Sequence, residues 1–208
     1  VTNDLYEIAD ELRALANTGL RYARDTYDRA RYAHALELSA RLVALREGRD
    51  PGAVLAEYAG HFAHLSPLVG ADAAVMRGGA LLLIQRADNG LWAMPGGLAE
   101  VGETVAQAAE RELFEETGLR GKASRLLGVF DSRRVGTRSR MHLYHVVMAL
   151  EAEGELPPAG GTTPNEVLSA GWFAPGDLPP LHHGHDVMVP RVLAMLSGEL
   201  PAPHFDPS

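Results

Sequence analysis

Between Gly96 and Leu119 the chain places three glutamates where a helix has to pack. Thr104 and Gln107 stand as a capping box and Gly118 supplies a stop, so the segment predicts a helix from Thr104 to Thr117. At about 100° per residue, Glu112, Glu115 and Glu116 share one arc of roughly 100°. Val105, Ala108 and Ala109 lie inside or beside that arc, while Phe114 points nearly the opposite way. Like charges so close repel, and taking them out of water without partners is costly. Two arrangements resolve the conflict. The glutamates form an oxygen-rich site for Mg²⁺ or Mn²⁺, or they form a solvated run paired by Arg111, which reaches Glu115 at i, i+4.

Composition narrows what surrounds this helix. The 208 residues are 46% hydrophobic and 22% charged, ordinary for a globular protein and enough for one large domain or two small ones. Nineteen Lys and Arg against 27 Asp and Glu leave a net charge of −8, which disfavours non-specific binding to nucleic acid or an anionic membrane. There is no cysteine, so disulfides, thiolate metal sites and Cys nucleophiles are excluded. No apolar run reaches the roughly 18 residues of a membrane span, and the first residues do not read as a signal peptide. The expectation is a soluble cytoplasmic protein with no membrane partner.

Residues 3 to 65 read as helices. Leu5, Ile8, Ala9, Leu12, Leu15 and Ala16 follow the spacing of one buried face, with a stop at Asn17, Thr18 and Gly19. A second helix is expected from Asp28 to Glu47, with Leu36, Ala40 and Val43 on one stripe and Gly48 after it. Asp50-Pro51 opens a third, through Tyr58. These helices hold no catalytic constellation, so residues 1–66 are expected to be a packing or dimerisation module. Residues 67–208 change character. Ala73 to Met76, the turn Arg77-Gly78-Gly79 and Ala80 to Arg86 predict a hairpin. Leu126 to Asp131 and Met141 to Glu151 are strand candidates, Glu153 to Pro164 a loop, and Trp172-Phe173 the close of another strand. A last helix is expected over Val187 to Leu196, its start left open by Pro190. Strands with one central and one late helix imply an α/β layer architecture.

The run Gly97, Glu103, Arg111-Glu112-Leu113, Glu115-Glu116 and Gly118-Leu119 resembles the signature of the Nudix hydrolases at every fixed position, and Leu91 to Gly97 resembles the family's approach to it. The resemblance implies an α/β/α sandwich around a mixed sheet and metal-assisted attack of water on a diphosphate. It also implies that Glu112, Glu115 and Glu116 are Mg²⁺ or Mn²⁺ ligands, joined by the Gly96 carbonyl, with Arg111 and Glu103 as a supporting pair that orients them. The helical module with Leu15 to Leu20 and Asp25 to Arg29, then the glutamate box, then Gly128 to Asp131, is similar to the Nudix subgroup with an N-terminal helical domain. That subgroup's best-known activity is CDP-choline pyrophosphatase, and its helical module contributes to a homodimer. Markers after the box that accompany ADP-ribose and diadenosine-polyphosphate hydrolysis are missing, since the first Pro after Leu119 is Pro157 and the first Tyr is Tyr144.

The resemblance thus implies hydrolysis of a nucleoside diphosphate linked to a second group, CDP-choline or a related NDP-X. ADP-ribose, an oxidised nucleoside triphosphate such as the 8-oxo form, and an RNA 5′ end stand as alternatives, and a nucleotide sensor without turnover is the rival from another class. Arg133, Arg134, Arg138 and Arg140 could hold phosphate by forked hydrogen bonds, or decorate a solvated loop. His142 and Tyr144, two apart on a strand, share a face and could meet a base. His145 reads as a partly buried structural histidine. Glu166 resembles in place a loop Glu that some Nudix enzymes use as base or extra metal ligand, against an ordinary exposed residue. His182, His183 and His185 read as a polar loop before the last helix.

Overall fold

The computed structural model describes residues 2–59, 66–100, 102–137, 141–157 and 165–207. The chain divides into two units, Val1–Pro67 and Leu68–Ser208.

In the first unit, α1 (Thr2–Tyr22), α2 (Thr26–Glu47) and α3 (Pro51–Ala59) pack around Ala9, Ala40, Val43, Ala44, Val54 and Tyr58. Small residues let the helices approach closely enough for the buried Ser39 hydroxyl to donate to the Ala9 carbonyl at 2.7 Å. The caps of α2 and α3 follow the sequence: Gly48 is left-handed at φ 66°, and the Asp50 carboxylate accepts from the Ala53 N–H at 2.8 Å. Helix α1 departs from expectation by running through Asn17, Thr18 and Gly19. Gly19 serves close packing instead of termination, because a Cβ there would strike the Tyr32 ring of α2. The predicted buried face also splits. Ala9 and Ala16 are fully buried, whereas Leu5, Ile8 and Leu15 are exposed, Leu15 by 67%.

The second unit is a sheet with a helix on each face. Its order is β3 (Trp92–Ala93), β2 (Ala80–Arg86), β1 (Leu68–Arg77), β6 (Leu143–Glu153), β5 (Arg120–Asp131) and β8 (His204–Phe205). β4 (Gly96–Leu98) pairs with β1 and β7 (Val167–Phe173) with β2. The β1–β6 and β5–β8 pairs are parallel and the rest antiparallel, so the sheet is mixed. Alternation along β1 sorts its side chains. Ala71, Ala73 and Val75 join Ala108, Ala109 and Leu113 of α4 (Val105–Thr117), and Ala74 joins Met188, Val189 and Val192 of α5 (His185–Ser197). This is the expected α/β/α sandwich, following an all-α module in the chain. Among the described residues no helix is long and apolar enough to cross a membrane.

Helix α4 has the expected caps. The Thr104 hydroxyl accepts from the Gln107 N–H, the Gln107 side chain accepts from the Thr104 N–H, and Gly118 sits at φ 74°. At its outer side Glu110 pairs with the exposed ammonium of Lys122 on β5 at 3.1 Å. β5 begins at Arg120, well before Leu126, because its register against β6 shifts twice and the irregularities erase the two-residue alternation. The short strands β3, β4 and β8 were not anticipated. Pro190 lies inside α5 without ending it.

Candidate active site

β4 is held against β1 through Gly97↔Ala71 and Gly96↔Asp72, which places both glycines beside α4. The approach admits no side chain: a Cβ at Gly97 would strike the Glu112 carboxylate, and one at Gly96 would lie 2.7 Å from Asp72 Oδ1. Arg111 organises the acids around this seam. Its Nε donates to Glu103 Oε1 at 2.8 Å and one terminal nitrogen to Glu103 Oε2 at 3.0 Å. The other terminal nitrogen donates to Glu112 Oε1 at 2.6 Å and Glu115 Oε2 at 3.0 Å. The Leu98 carbonyl accepts, at 3.1 Å, from the nitrogen that also serves Glu103 Oε2. Arg111 and Glu103 therefore meet as a pair, and the i, i+4 contact to Glu115 exists alongside the glutamate cluster rather than instead of it. These hydrogen bonds hold the Glu103 carboxyl below its ordinary range.

The three glutamates sit in graded surroundings. Glu115 is partly exposed, Glu112 is mostly covered, and Glu116 is buried, accepting from the Gly96 N–H at 2.8 Å. Burial pushes the Glu116 carboxyl up to about 8 despite that hydrogen bond, and the Glu112 carboxyl upward despite Arg111. Two carboxylates that burial opposes as anions, with a third beside them, suit an all-oxygen set for a hard divalent cation. Glu166, just before β7, accepts from the Ala87 N–H through its carbonyl, and its charge acts on Glu112 and Arg86. The structure thus brings this remote residue toward the cluster. Arg86 was missed in the sequence. It is gripped by Asp88 at 2.9 and 3.0 Å and lies within electrostatic reach of Glu116 and Glu166. The signal was available, since it ends the apolar run of β2 with a cation.

Arg133 and Arg134 lie in the turn after β5, where the Arg133 N–H donates to Asp131 Oδ1. Arg134 and Tyr144 line one open cavity of about 350 Å³. His142 is bound to Asp131 at 3.1 Å and its ring meets that of Tyr144 edge-on at 5.4 Å. Arg138 and Arg140 fall outside the described residues.

Behind Gly96 lies a cluster that sequence reasoning left in pieces. Asp72, His145 and His185 bring ligand-type atoms within 4.8 Å of one another. Asp72 Oδ2 is 2.9 Å from His145 Nδ1 and Oδ1 is 3.9 Å from His185 Nε2. His145 thus serves as the expected structural histidine. His185 does not belong to a polar loop: it opens α5, is buried, and burial takes its imidazole down to about 4. The Met94 N–H donates to its Nδ1 at 3.2 Å, so the neutral ring carries its proton on Nε2, toward Asp72. Hydrogen bonds from Met94 to His185 and between His145 and Asp72 fix the group under β4, with His185 and Asp72 at electrostatic distance. His182 is half-buried and bonded to Asn89 at 3.0 Å.

Comparison with known proteins agrees with this geometry. The NUDIX domain matches residues 67–192, carrying the whole glutamate cluster. The chain belongs to the Nudix family. A second match, to the UDP-X-like N-terminal oligomerisation domain, covers residues 3–56 of this Nudix hydrolase. The chain is 31% identical over 191 residues to a Bacillus subtilis (strain 168) protein named "Putative ADP-ribose pyrophosphatase YjhB", covering 91% of this chain and 89% of that one. An ADP-ribose pyrophosphatase of Methanocaldococcus jannaschii is 34% identical over 138 residues, 65% of this chain and 78% of its own. Among solved structures, a UDP-X diphosphatase superposes with a TM-score of 0.59 and 25% identity, covering 96% of this chain and 97% of that one.

Proposed function

We propose that this Nudix hydrolase cleaves the pyrophosphate bond of a nucleoside diphosphate linked to a second group, an NDP-X such as CDP-choline, with Mg²⁺ or Mn²⁺. The observation that carries the substrate class is the end-to-end likeness, helical module included, to a UDP-X diphosphatase. Glu112, Glu115, Glu116 and the Gly96 carbonyl hold the metal ions. Bound there, the ions activate water and neutralise charge developing on phosphorus. Arg111 and Glu103 keep the glutamates in register. Water attacks one phosphorus, the bridging P–O bond breaks, and a nucleoside monophosphate and a phosphorylated X leave. Glu166, outside the Arg111 clasp, takes the proton from the attacking water. Arg133, Arg134, Arg138, Arg140, His142 and Tyr144 receive the substrate.

The chain works as a homodimer in this reading. Leu5, Ile8 and Leu15 stay exposed along one stripe of α1 in a domain whose relatives are described as oligomerising. A second substrate reading, ADP-ribose, is favoured by the names of the Bacillus subtilis and Methanocaldococcus jannaschii relatives, the first of them alike over nearly the whole chain.

The test is product detection by mass over a panel of CDP-choline, UDP-sugars, ADP-ribose, dinucleoside polyphosphates, 8-oxo-dGTP and a triphosphorylated RNA, each with Mg²⁺ or Mn²⁺. Turnover of CDP-choline or another NDP-X, above every other compound, supports the proposal. ADP-ribose as the preferred substrate transfers it to the second reading. No turnover by the folded, metal-loaded chain overturns it in favour of a nucleotide sensor.

A further inference from the structure

The last strand adds a wall to the molecule beyond residues 67–192, the span matched by the NUDIX domain. β8 is anchored four ways. It pairs through Gly128↔His204 and Val129↔Phe205, His204 stacks on Phe130 at 4.5 Å, and the Asp131 N–H donates to Asp206 Oδ2 at 2.6 Å. Phe130 belongs to the core under α5, so His204 faces that side, and alternation turns Phe205 to the other. Phe205 shares that side with Val129, Asp131 and Tyr144. The residue is nonetheless 74% exposed. A phenylalanine this bare on a firmly held backbone adds little to the core. What it does is wall the cavity of about 350 Å³ that Arg134 and Tyr144 also line.

The cavity shares its face of the sheet with the glutamates. Gly97, which touches Glu112, pairs with Ala71, whose side chain packs with α4. From β4 across β1 to β6, where Tyr144 forms the near wall, is two strand spacings of about 4.8 Å each, a gap that a ribose and its phosphates bridge; Phe205 on β8 forms the far wall, two spacings further out. The chemistry of the walls selects the occupant. Asp131 and Asp206 outnumber the one guanidinium of Arg134, so the walls as a whole disfavour phosphate, and carboxylates accept hydrogen bonds from N–H groups. Tyr144 and Phe205 offer flat apolar faces, and the volume is at the small end of ligand pockets. A nucleobase has both a π-face and N–H donors.

We propose that this cavity binds the nucleobase of the substrate, with Phe205 and Tyr144 as its stacking surfaces. The proposal rests on the nucleotide reading given above. Two measurements on the full chain test it separately from that reading. In calorimetric titration, CMP, UMP and AMP are compared with ribose 5-phosphate, which lacks a base. Phe205→Ala weakens binding of the best nucleotide about tenfold and leaves ribose 5-phosphate unchanged, while Phe205→Tyr restores the wild-type affinity. In steady state on whichever NDP-X is turned over, Phe205→Ala raises KM about tenfold with kcat within about twofold. Tyr144→Ala moves both readouts the same way. The exposure of Phe205 keeps these variants folded. Nucleotide affinity and KM that ignore Phe205, in a chain that turns over NDP-X, overturn the base site and leave the activity standing. Base-dependent binding through Phe205 without turnover supports the base site and sinks the hydrolase reading.

Discussion

Glu116 is the residue at which folding and chemistry pull in opposite directions. The fold buries its carboxyl and raises it to about 8, while the metal binding proposed above needs the anion. Replacement by Gln is expected to cut turnover by about 10³-fold with the fold intact by circular dichroism. The sign of its pH effect follows from proton counting. Between about 4.5 and about 8 the native state holds a proton that the unfolded chain has lost, so metal-free wild type loses stability as pH rises through that window. The Gln variant lacks this loss, a difference on the order of 5 kcal/mol by pH 8, read from urea unfolding in EDTA. A pH-independent difference would falsify the burial argument. His185 acts in reverse. It accepts a proton at about 6.5 when unfolded and at about 4 when native, so its contribution is lost as pH falls between those values, on the order of 3 kcal/mol. His185→Asn should flatten that acid limb in thermal melts. The glutamates were legible because the box fixes their spacing on one helix. His185 was not: three histidines beside a glycine look like a loop, and what buries one is Asp72 and His145, more than a hundred and some forty residues earlier in the chain.

At the level of elements, legibility followed local chemistry. Caps act within a few residues, so α3 and α4 begin where Asp50 and Thr104 indicate and α2 and α4 end where Gly48 and Gly118 do, whereas α2 starts at Thr26, capped by Asp25, two residues before the expected Asp28. Gly19 misled because its role is set by Tyr32 on the neighbouring helix. Gly19→Val should therefore destabilise by about 1–3 kcal/mol through overpacking, measured by thermal melting, whereas an interior glycine with no packing duty would gain from the change. The bulges of β5 hid its first half, and β3, β4 and β8 are too short to display a period. β4 is nonetheless the strand that carries the Gly96 and Gly97 seam. Gly97→Ala should lower kcat through displacement of Glu112 while leaving α4 helical, checked by kinetics beside circular dichroism.

For the whole molecule, the helical module and the sandwich divide labour between surface and chemistry. The exposed stripe of α1 predicts a solution mass twice the 22.3 kDa of one chain by light scattering. Replacing Ile8 and Leu15 with Glu should return the single-chain mass. A wild-type monomer at micromolar concentration would remove the dimer from the proposal.

The Lys122–Glu110 contact has a practical corollary. Of the 19 Lys and Arg in these 208 residues 18 are arginines, and there is no cysteine, so an amine-reactive dye finds one reactive side chain, which blocking the α-amine singles out. That ammonium is 82% exposed and tied to the flank of the helix bearing Glu112, Glu115 and Glu116. Among the side chains of residues 1–208, a dye at Lys122 would report from beside the glutamate-bearing helix, with no engineered residue in the way.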